Sequence, residues 1–386
     1  VLPLSRRRPS PPYGADAVTR ICVVAPSLGI LGGQAVQALR LVEHLNDSGA
    51  VQVDLLPVNP VLPGPLRLLQ SIKYVRTIVT SLRYASSLLR RLPRYDVIHV
   101  FSASYWSFVL APLPAMIVGR LYGKRVILNY HSGHAEDHFS RWPSAVRATR
   151  LAHDVIVPSD YLVDVLARFG IRSRAIVNFV DVDRIPHRRR SAFRPKFLTN
   201  RNLEPLYNVA LVLHAFARIQ RERPDASLVV AGFGSQRAAL EALVHELQLR
   251  NVTFVGRVAA DQMGRLYDDA DLFLNGSDID NMPLSILDAF AAGTPVVTTD
   301  AGGIPYLVKD GRTGIVVRRG DDAALAEGAL RLLQDAELAA RIGDSARAEC
   351  ISRYTWRAVC TQWLDLYAGP RHAALPPVGT QTARTE

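Results

Sequence analysis

NGSDIDNMPLSILDAFAAGTPVV, residues 275–297, reads as a polar loop, a helix that begins near Pro283, and the opening of a buried strand, TPVVTTD. Asp280 ends the loop and Asp288 lies inside the helix, eight residues on. With most of that spacing helical, the two carboxylates lie on the order of 10 Å apart. Carboxylate pairs that hydrolyse glycosides need roughly 5 Å for retention and roughly 6.5–9.5 Å for inversion. The wider spacing suits two hydrogen-bond anchors at opposite ends of a long ligand. Between them, the backbone of Asn281, Met282, Pro283, Leu284 and Ser285 forms a helix N-terminus, a ready site for negative charge.

Outward from this stretch the chain repeats one kind of unit. Upstream lie the strand SLVVAG, the loop GFGS, a helix from Gln236 to Leu247, and the strands NVTFVG and DLFLNGS. An earlier series opens at Arg20 with the buried run ICVVAP, the glycine loop SLGILGG, and a helix from Gln34 to Leu45 with its apolar face at Val36, Leu39, Val42 and Leu45. VQVDLLPV, DVIHVF, RVILNYH and DVIVPS follow as further strands, and a helix begun by Ser159 and stopped by Gly170 closes the series. The basic, Pro-containing RIPHRRRSAFRPK at 184–196 breaks the pattern and reads as a linker. The expectation is an α/β protein of two Rossmann-like domains facing a central cleft, residues 20–185 and 186–355, with a helix at 356–369 crossing back onto the first. Residues 1–19 and 370–386 are Pro-rich or polar without periodicity and read as disordered tails.

The chain has 386 residues, 48% of them apolar, enough for two cores. Its 46 Lys and Arg against 35 Asp and Glu give a net charge of +11, which favours an anionic partner: a phosphorylated ligand, an acidic membrane surface or nucleic acid. No nucleic-acid reading module accompanies the charge, so specific nucleic-acid binding is not expected. Cys22, Cys350 and Cys360 are an odd set without metal-ligand spacing and fit a reducing compartment. No run approaches the roughly 20 apolar residues of a membrane span, and Arg6, Arg7 and Arg8 stand where a signal peptide carries its apolar core. A cytoplasmic location is expected.

The motif resembles that of the family 4 glycosyltransferases, which are retaining enzymes of the GT-B fold. Their signature is two glutamates with seven residues between, followed by Ala-Met-Ala-x-Gly-x-Pro-Val-Val. Asp280, Asp288, Ala289, Ala291, Gly293, Pro295, Val296 and Val297 match that register, with both glutamates shortened to aspartate and Phe290 at the Met position. The resemblance continues in Gly302 and Gly303, and in Asp310, Gly311, Thr313 and Gly314. It implies that Asp288 holds the ribose of a nucleotide sugar and Asp280 the transferred sugar, helped by the amides at 281–284. Arg201, in LTNRNLEPLYN, falls where the family grips the diphosphate, and Tyr207 stands where a lysine is usual. In the first domain the resemblance brings Gly32 and Gly33 to the diphosphate and His131, in LNYHSGHAEDH, near sugar and acceptor. Arg257 takes the place of a base contact, and a solvent-exposed arginine is an equal reading. Gly232, in GFGS, is either a strand-to-helix turn or part of a loop near the nucleotide.

His134 and His138 stand four residues apart, but the run lacks the third ligand expected of a zinc helix, and with Glu136 and Asp137 they read as an acceptor-side loop. Asp278-Ile279-Asp280 has the form of a metal-binding Asp-x-Asp, but its register makes Asp280 an anchor of the other fold, so neither metal nor cofactor is expected. Residues 66–92 place Leu68, Leu69, Ile72, Val75, Val79, Leu82 and Leu89 at helical spacing, with seven Lys or Arg and no acid between 61 and 95. Such a helix either buries its apolar face in the first domain or lies on an anionic membrane, which would make the protein peripheral on the inner membrane face.

The expected reaction is a retaining transfer of a hexosyl group from a UDP- or GDP-sugar to the hydroxyl of a glycan or lipid-linked glycan, in envelope or exopolysaccharide synthesis. Two other functions stay open: a sugar nucleotide 2-epimerase of the same fold, and a sugar-nucleotide-binding protein without turnover.

Overall fold

The structure is a computed structural model and describes residues 18–27, 32–61, 64, 72 and 75–369. The C-terminal tail, most of the N-terminal tail, residues 28–31 of the glycine loop and most of 66–74 in the basic segment lie outside the described residues.

The first half runs β1 (Arg20–Ala25), α1 (Gly33–Ser48), β2 (Gln52–Pro57), α2 (Val75–Arg91), β3 (Val97–Ser102), α3 (Trp106–Leu110), α4 (Pro112–Leu121) and β4 (Arg125–Tyr130). It continues with α5 (Ala135–Arg141), α6 (Pro143–Thr149), β5 (Asp154–Val157), α7 (Asp160–Arg168) and β6 (Arg174–Ala175). The second half runs β7 (Lys196–Asn200), α8 (Val209–Glu222), β8 (Ser227–Ala231), α9 (Arg237–Glu246), β9 (Val252–Gly256), α10 (Ala260–Asp269) and β10 (Leu272–Asn275). It ends with α11 (Leu284–Ala292), β11 (Val296–Thr299), α12 (Ile304–Leu307), β12 (Ile315–Val317), α13 (Asp322–Gln334), α14 (Ala336–Arg353) and α15 (Trp356–Ala368).

Each half is one parallel sheet, ordered β2-β1-β3-β4-β5-β6 and β12-β11-β10-β7-β8-β9. Parallel strands need helical crossovers, and these cover both faces. The strand order turns back between β1 and β3 in the first sheet and between β7 and β10 in the second. At such switch points the loops leaving the strand ends diverge and leave a crevice. The loops that leave there carry Gly32, Gly33, Ser102 and Ala103 in one half, and Arg201 and Asp280 in the other.

Side chains alternate across β1. Cys22 and Val24 pack with Tyr84 and Leu88 of α2, whereas Ile21, Val23 and Ala25 pack with Ala38, Leu41 and Leu45 of α1 and with Val359, Trp363, Leu366 and Tyr367 of α15. The terminal helix thus completes the core of the first sheet. In α1 the buried face is Ala35, Ala38, Leu41, Val42 and Leu45, so the expected face is rotated and Val36 and Leu39 are half-buried. Small alanines let α1 lie close on the sheet. In α2 the buried residues are Tyr84 and Leu88, while Leu82 and Leu89 are exposed.

Two features go beyond the sequence reading. The linker 184–196 joins the two sheets and is fixed in place: Arg188, Arg190 and Arg194 all bond the Asp271 carboxylate, at 2.6 to 3.2 Å. Burial pushes the Asp271 acid up, but hydrogen bonds from Arg194 and Arg188 outweigh it and hold it at about 2. The second sheet also gains β7 at its centre. Its short KFLTN follows the basic run directly and carries too few apolar residues to stand out in sequence. All three cysteines are free, and among the described residues no helix is long and apolar enough to cross a membrane.

Candidate active site

Between the two switch points lies a cavity of about 260 Å³. The first half lines it with Gly32, Gly33, Gln34, Ser102, Ala103, His131, Ser132, Gly133, His134, Pro158 and Asn178. The second half contributes Arg201, Leu206, Tyr207, Ile279, Asp280, Asn281, Met282, Pro283 and Leu284.

Arg201 leaves the end of β7 and is fixed from three sides. Its guanidinium donates to Asp280 Oδ2 at 2.5 Å and to Ser285 Oγ at 2.9 Å, and it lies over the Tyr207 ring at 4.1 Å from the centroid. Tyr207 therefore brings a π face where the resemblance leads one to expect a second cation, and the residue steers Arg201 instead of adding charge. Asp280 also accepts from Ser277 Oγ at 3.1 Å and from the Asn281 backbone N–H at 3.0 Å. The loop 279–282 sits tightly on its neighbours. A Cβ on Gly302 would come within 2.2 Å of the Asp280 carbonyl, and one on Gly303 within 2.3 Å of the Asn281 carbonyl, which gives those two glycines a packing reason.

The α11 N-terminus, at Pro283 and Leu284, has no side-chain cap. Its free amides and dipole present partial positive charge to the cavity beside Arg201. Opposite, Gly33 opens α1, and a Cβ there would meet the Leu284 side chain at 3.6 Å. The halves are tied across the cleft. Asn178 donates from its amide side chain to the Met282 carbonyl at 3.1 Å and from its backbone to Met282 Sδ at 3.4 Å, and Ser159 bonds the Asn281 side chain.

His131 follows β4 and stacks on Phe101, ring centroids 5.0 Å apart. Burial lowers its pKa to about 3, so the imidazole is neutral near pH 7, and its Nε2 is buried without a partner among the described residues. Phe101 in turn stacks on His99, whose Nδ1 bonds Tyr367 of α15 at 2.7 Å. His134 lines the cavity, but His138 is fully buried and bonds Tyr130. It belongs to the aromatic core and not to an acceptor-side loop. Among the described residues no three His, Cys, Asp or Glu side chains gather as a metal site would require.

Four of the expected donor residues do not line the cavity. Ser285 lies behind Arg201 and supports it. Gly232, at φ +134°, lies under the arginine as well: a Cβ there would be 2.0 Å from the Arg201 carbonyl. Its role is to let the β8 turn approach Arg201. Arg257 is exposed at the end of β9, its guanidinium 4.5 Å from the Phe233 ring centre. Asp288, one helical turn beyond Leu284, is buried towards α1, with Arg40 Nη2 3.8 Å from its Oδ1. Burial raises its pKa to about 6, against the pull of Arg40 and with a further push from Asp181. Arg40, Asn178 and Ser159 carry no motif for the site, and only the fold brings them there.

The geometry matches known proteins over most of the chain. The description Glycosyltransferase Family 4 matches residues 31–184, and Glycosyl transferases group 1 matches residues 184–349. The glycogen synthase of Mycobacterium tuberculosis is 29% identical over 306 residues, 74% of this chain and 71% of that protein. The N-acetyl-alpha-D-glucosaminyl L-malate synthase of Bacillus anthracis is 32% identical over 167 residues, which span 43% of each protein. The crystal structure of Anabaena HepE in complex with UDP and glucose superposes with a TM-score of 0.71 at 19% identity, covering 91% of this chain and 100% of that one. The chain belongs to the family 4 glycosyltransferases and has their two-domain GT-B fold.

Proposed function

We propose that this glycosyltransferase moves a hexosyl group, with retention and without a metal ion, from a UDP- or GDP-sugar to the hydroxyl of a glycan or lipid-linked glycan in envelope or polysaccharide synthesis. The observation that carries the reading is the Arg201, Asp280 and α11 N-terminus cluster. It sets a fixed cation, a carboxylate and uncapped amides within one cavity. The cation and amides suit a diphosphate whose charge grows as the glycosidic bond breaks. Asp280 suits the hydroxyls of the transferred sugar. His131, neutral near pH 7, offers a nitrogen to the sugar or the incoming hydroxyl without adding charge. Retention would follow from attack on the face the diphosphate leaves, with a phosphate oxygen taking the acceptor proton. That route needs no carboxylate nucleophile.

The site supports residence where sugar nucleotides are made, in the cytoplasm or on the inner membrane face. Thermal-shift screening of UDP, GDP and their sugars identifies the donor, since a ligand at one hundred times its Kd adds about 2.7 kcal/mol. Transfer that persists in EDTA then tests the metal-free reading. A product formed from the donor alone would mark an epimerase, and binding without turnover would sink the transferase assignment for this chain.

A further inference from the structure

Of the 14 large apolar side chains exposed among the described residues, nine fall within residues 72–122. They form two stripes. On α2, Ile78, Leu82 and Leu89 are 61%, 66% and 52% exposed and follow one another at helical spacing. On α3 and α4, Trp106, Leu110, Ile117 and Leu121 do the same at 68%, 44%, 42% and 76%. The helices lie side by side, because Tyr84 of α2 donates to the Ala111 carbonyl at 2.8 Å and the Tyr122 hydroxyl to the Leu89 carbonyl at 3.1 Å. An apolar surface of this extent on a folded domain marks an interaction face.

Charge identifies what the face meets. Between residues 61 and 135 the chain has ten Lys or Arg and one acid, Asp96, and that acid is held by Arg20. On α2, Arg76, Arg83 and Arg90 recur every seven residues, are exposed, and have no acidic partner among the described residues. Apolar side chains flanked by unpaired arginines match the boundary between acyl chains and anionic headgroups, whereas a protein partner would have to neutralise the arginines one by one.

We propose that the α2 and α3–α4 face of the first domain seats on an anionic lipid bilayer. Trp106 lies at the cleft end of its stripe: the neighbouring Tyr105 ring is 6.0 Å from that of His134, which lines the cavity. The seated face therefore brings the acceptor side of the cleft to the headgroup layer, and the acceptor is lipid-borne. The acceptor part rests on the transferase reading; the seating does not.

Vesicle flotation with the full chain tests the seating without turnover. Phosphatidylglycerol–phosphatidylcholine vesicles should retain the protein and shift Trp106 fluorescence to the blue, with the shift lost in Trp106→Phe, and phosphatidylcholine vesicles should not. Binding should fall about thirtyfold in Arg83→Gln/Arg90→Gln, at roughly a factor of five to six for each basic residue lost near the surface. It should also fall about tenfold or more in Leu82→Gln/Leu121→Gln, which change only exposed side chains. Equal binding to both vesicles, or variants that bind like the parent, would overturn the proposal. So would dimerisation that Leu82→Gln/Leu121→Gln abolishes in a chain that ignores vesicles. If flotation succeeds and sugar transfer is never found, the seating stands and the transferase reading falls.

Discussion

Replacing Asp288 by Asn should make the protein more stable near neutral pH while damaging donor use. The side chain is 12% exposed, and Arg40 stands 3.8 Å away, too far for a hydrogen bond. Burial raises the acid from 3.8 to about 6, partly opposed by Arg40. Because the folded acid is the weaker one, its contribution to stability is full below about pH 3.8, is lost as pH rises towards about 6, and stays lost above. At 1.36 kcal/mol for each pH unit of that interval, the cost of the ionised form near pH 7 is about 3 kcal/mol. Asn has the shape of the protonated acid and does not incur that cost. Urea unfolding at about pH 7 should therefore show Asp288→Asn more stable by about 3 kcal/mol, with the gap closing by about pH 4. For a chain of two domains this corresponds to a Tm rise of roughly 6–12 °C. An Asn variant no more stable than the parent at neutral pH, or one whose advantage persists at pH 4, would refute the reasoning. The resemblance puts Asp288 on the donor ribose although it stands outside the cavity lining, so the same variant should lose donor-induced thermal stabilisation, and unchanged stabilisation would detach Asp288 from the donor.

Arg201→Gln should lower transfer about 100- to 1,000-fold, read as kcat with the identified donor, since it removes the fixed cation from the leaving phosphate; an unchanged kcat would remove Arg201 from the mechanism. Gly232→Ala forms no part of the cavity wall, yet its methyl group would sit 2.0 Å from the Arg201 carbonyl, so donor affinity by calorimetry should weaken tenfold or more, by about 1.4 kcal/mol. Tyr207→Leu removes the ring beneath the guanidinium and should weaken donor binding by about 0.5–2 kcal/mol, whereas Tyr207→Phe should not. Asp271, held at about 2, gives stability that is present above 3.8 and lost as pH falls through about 2; Asp271→Asn should cost about 3–5 kcal/mol near pH 7 in urea unfolding, because it leaves Arg190 buried without its counter-charge.

The second half was legible where local chemistry is dense. The acid spacing, Pro283 before the helix and the Pro-Val-Val run each constrain the chain over a few residues, and α11 with the strand after it formed as read. Asp280 and Arg201 meet because β7 and β10 are neighbours, a pairing that no local pattern encodes. For the same reason β7 itself was missed: its burial comes from both flanking strands, and KFLTN has little periodicity of its own. The basic run 184–196 joins the two sheets as a linker should, but its anchoring is not legible, because Asp271 lies 77 residues beyond Arg194 in sequence. Gly232 reads in sequence as either a strand-to-helix turn or a loop near the nucleotide, and Ser285 as part of a helix N-terminus; their contacts with Arg201 need the fold, since a motif records that a residue is constrained and not by what.

Some of the polar atoms left over after folding gather at the cleft. His131 Nε2, Arg201 Nε and Asn281 Nδ2 are buried and lack partners among the described residues, and all three side chains belong to residues that line one cavity. Each such group costs about 1–3 kcal/mol when unsatisfied. Buried polar atoms are left over elsewhere as well, among them His99 Nε2 and Trp363 Nε1, whereas Arg190 finds six oxygen partners. What sets the cleft apart is that three such groups belong to residues lining one cavity. Because Asn178 and Ser159 already fix the loop from the other half, the unpaired groups are held in place and not free to turn towards solvent. Groups held apart in this way gain most from a ligand that reaches all of them at once, and a polar ligand with a charged middle has the required form.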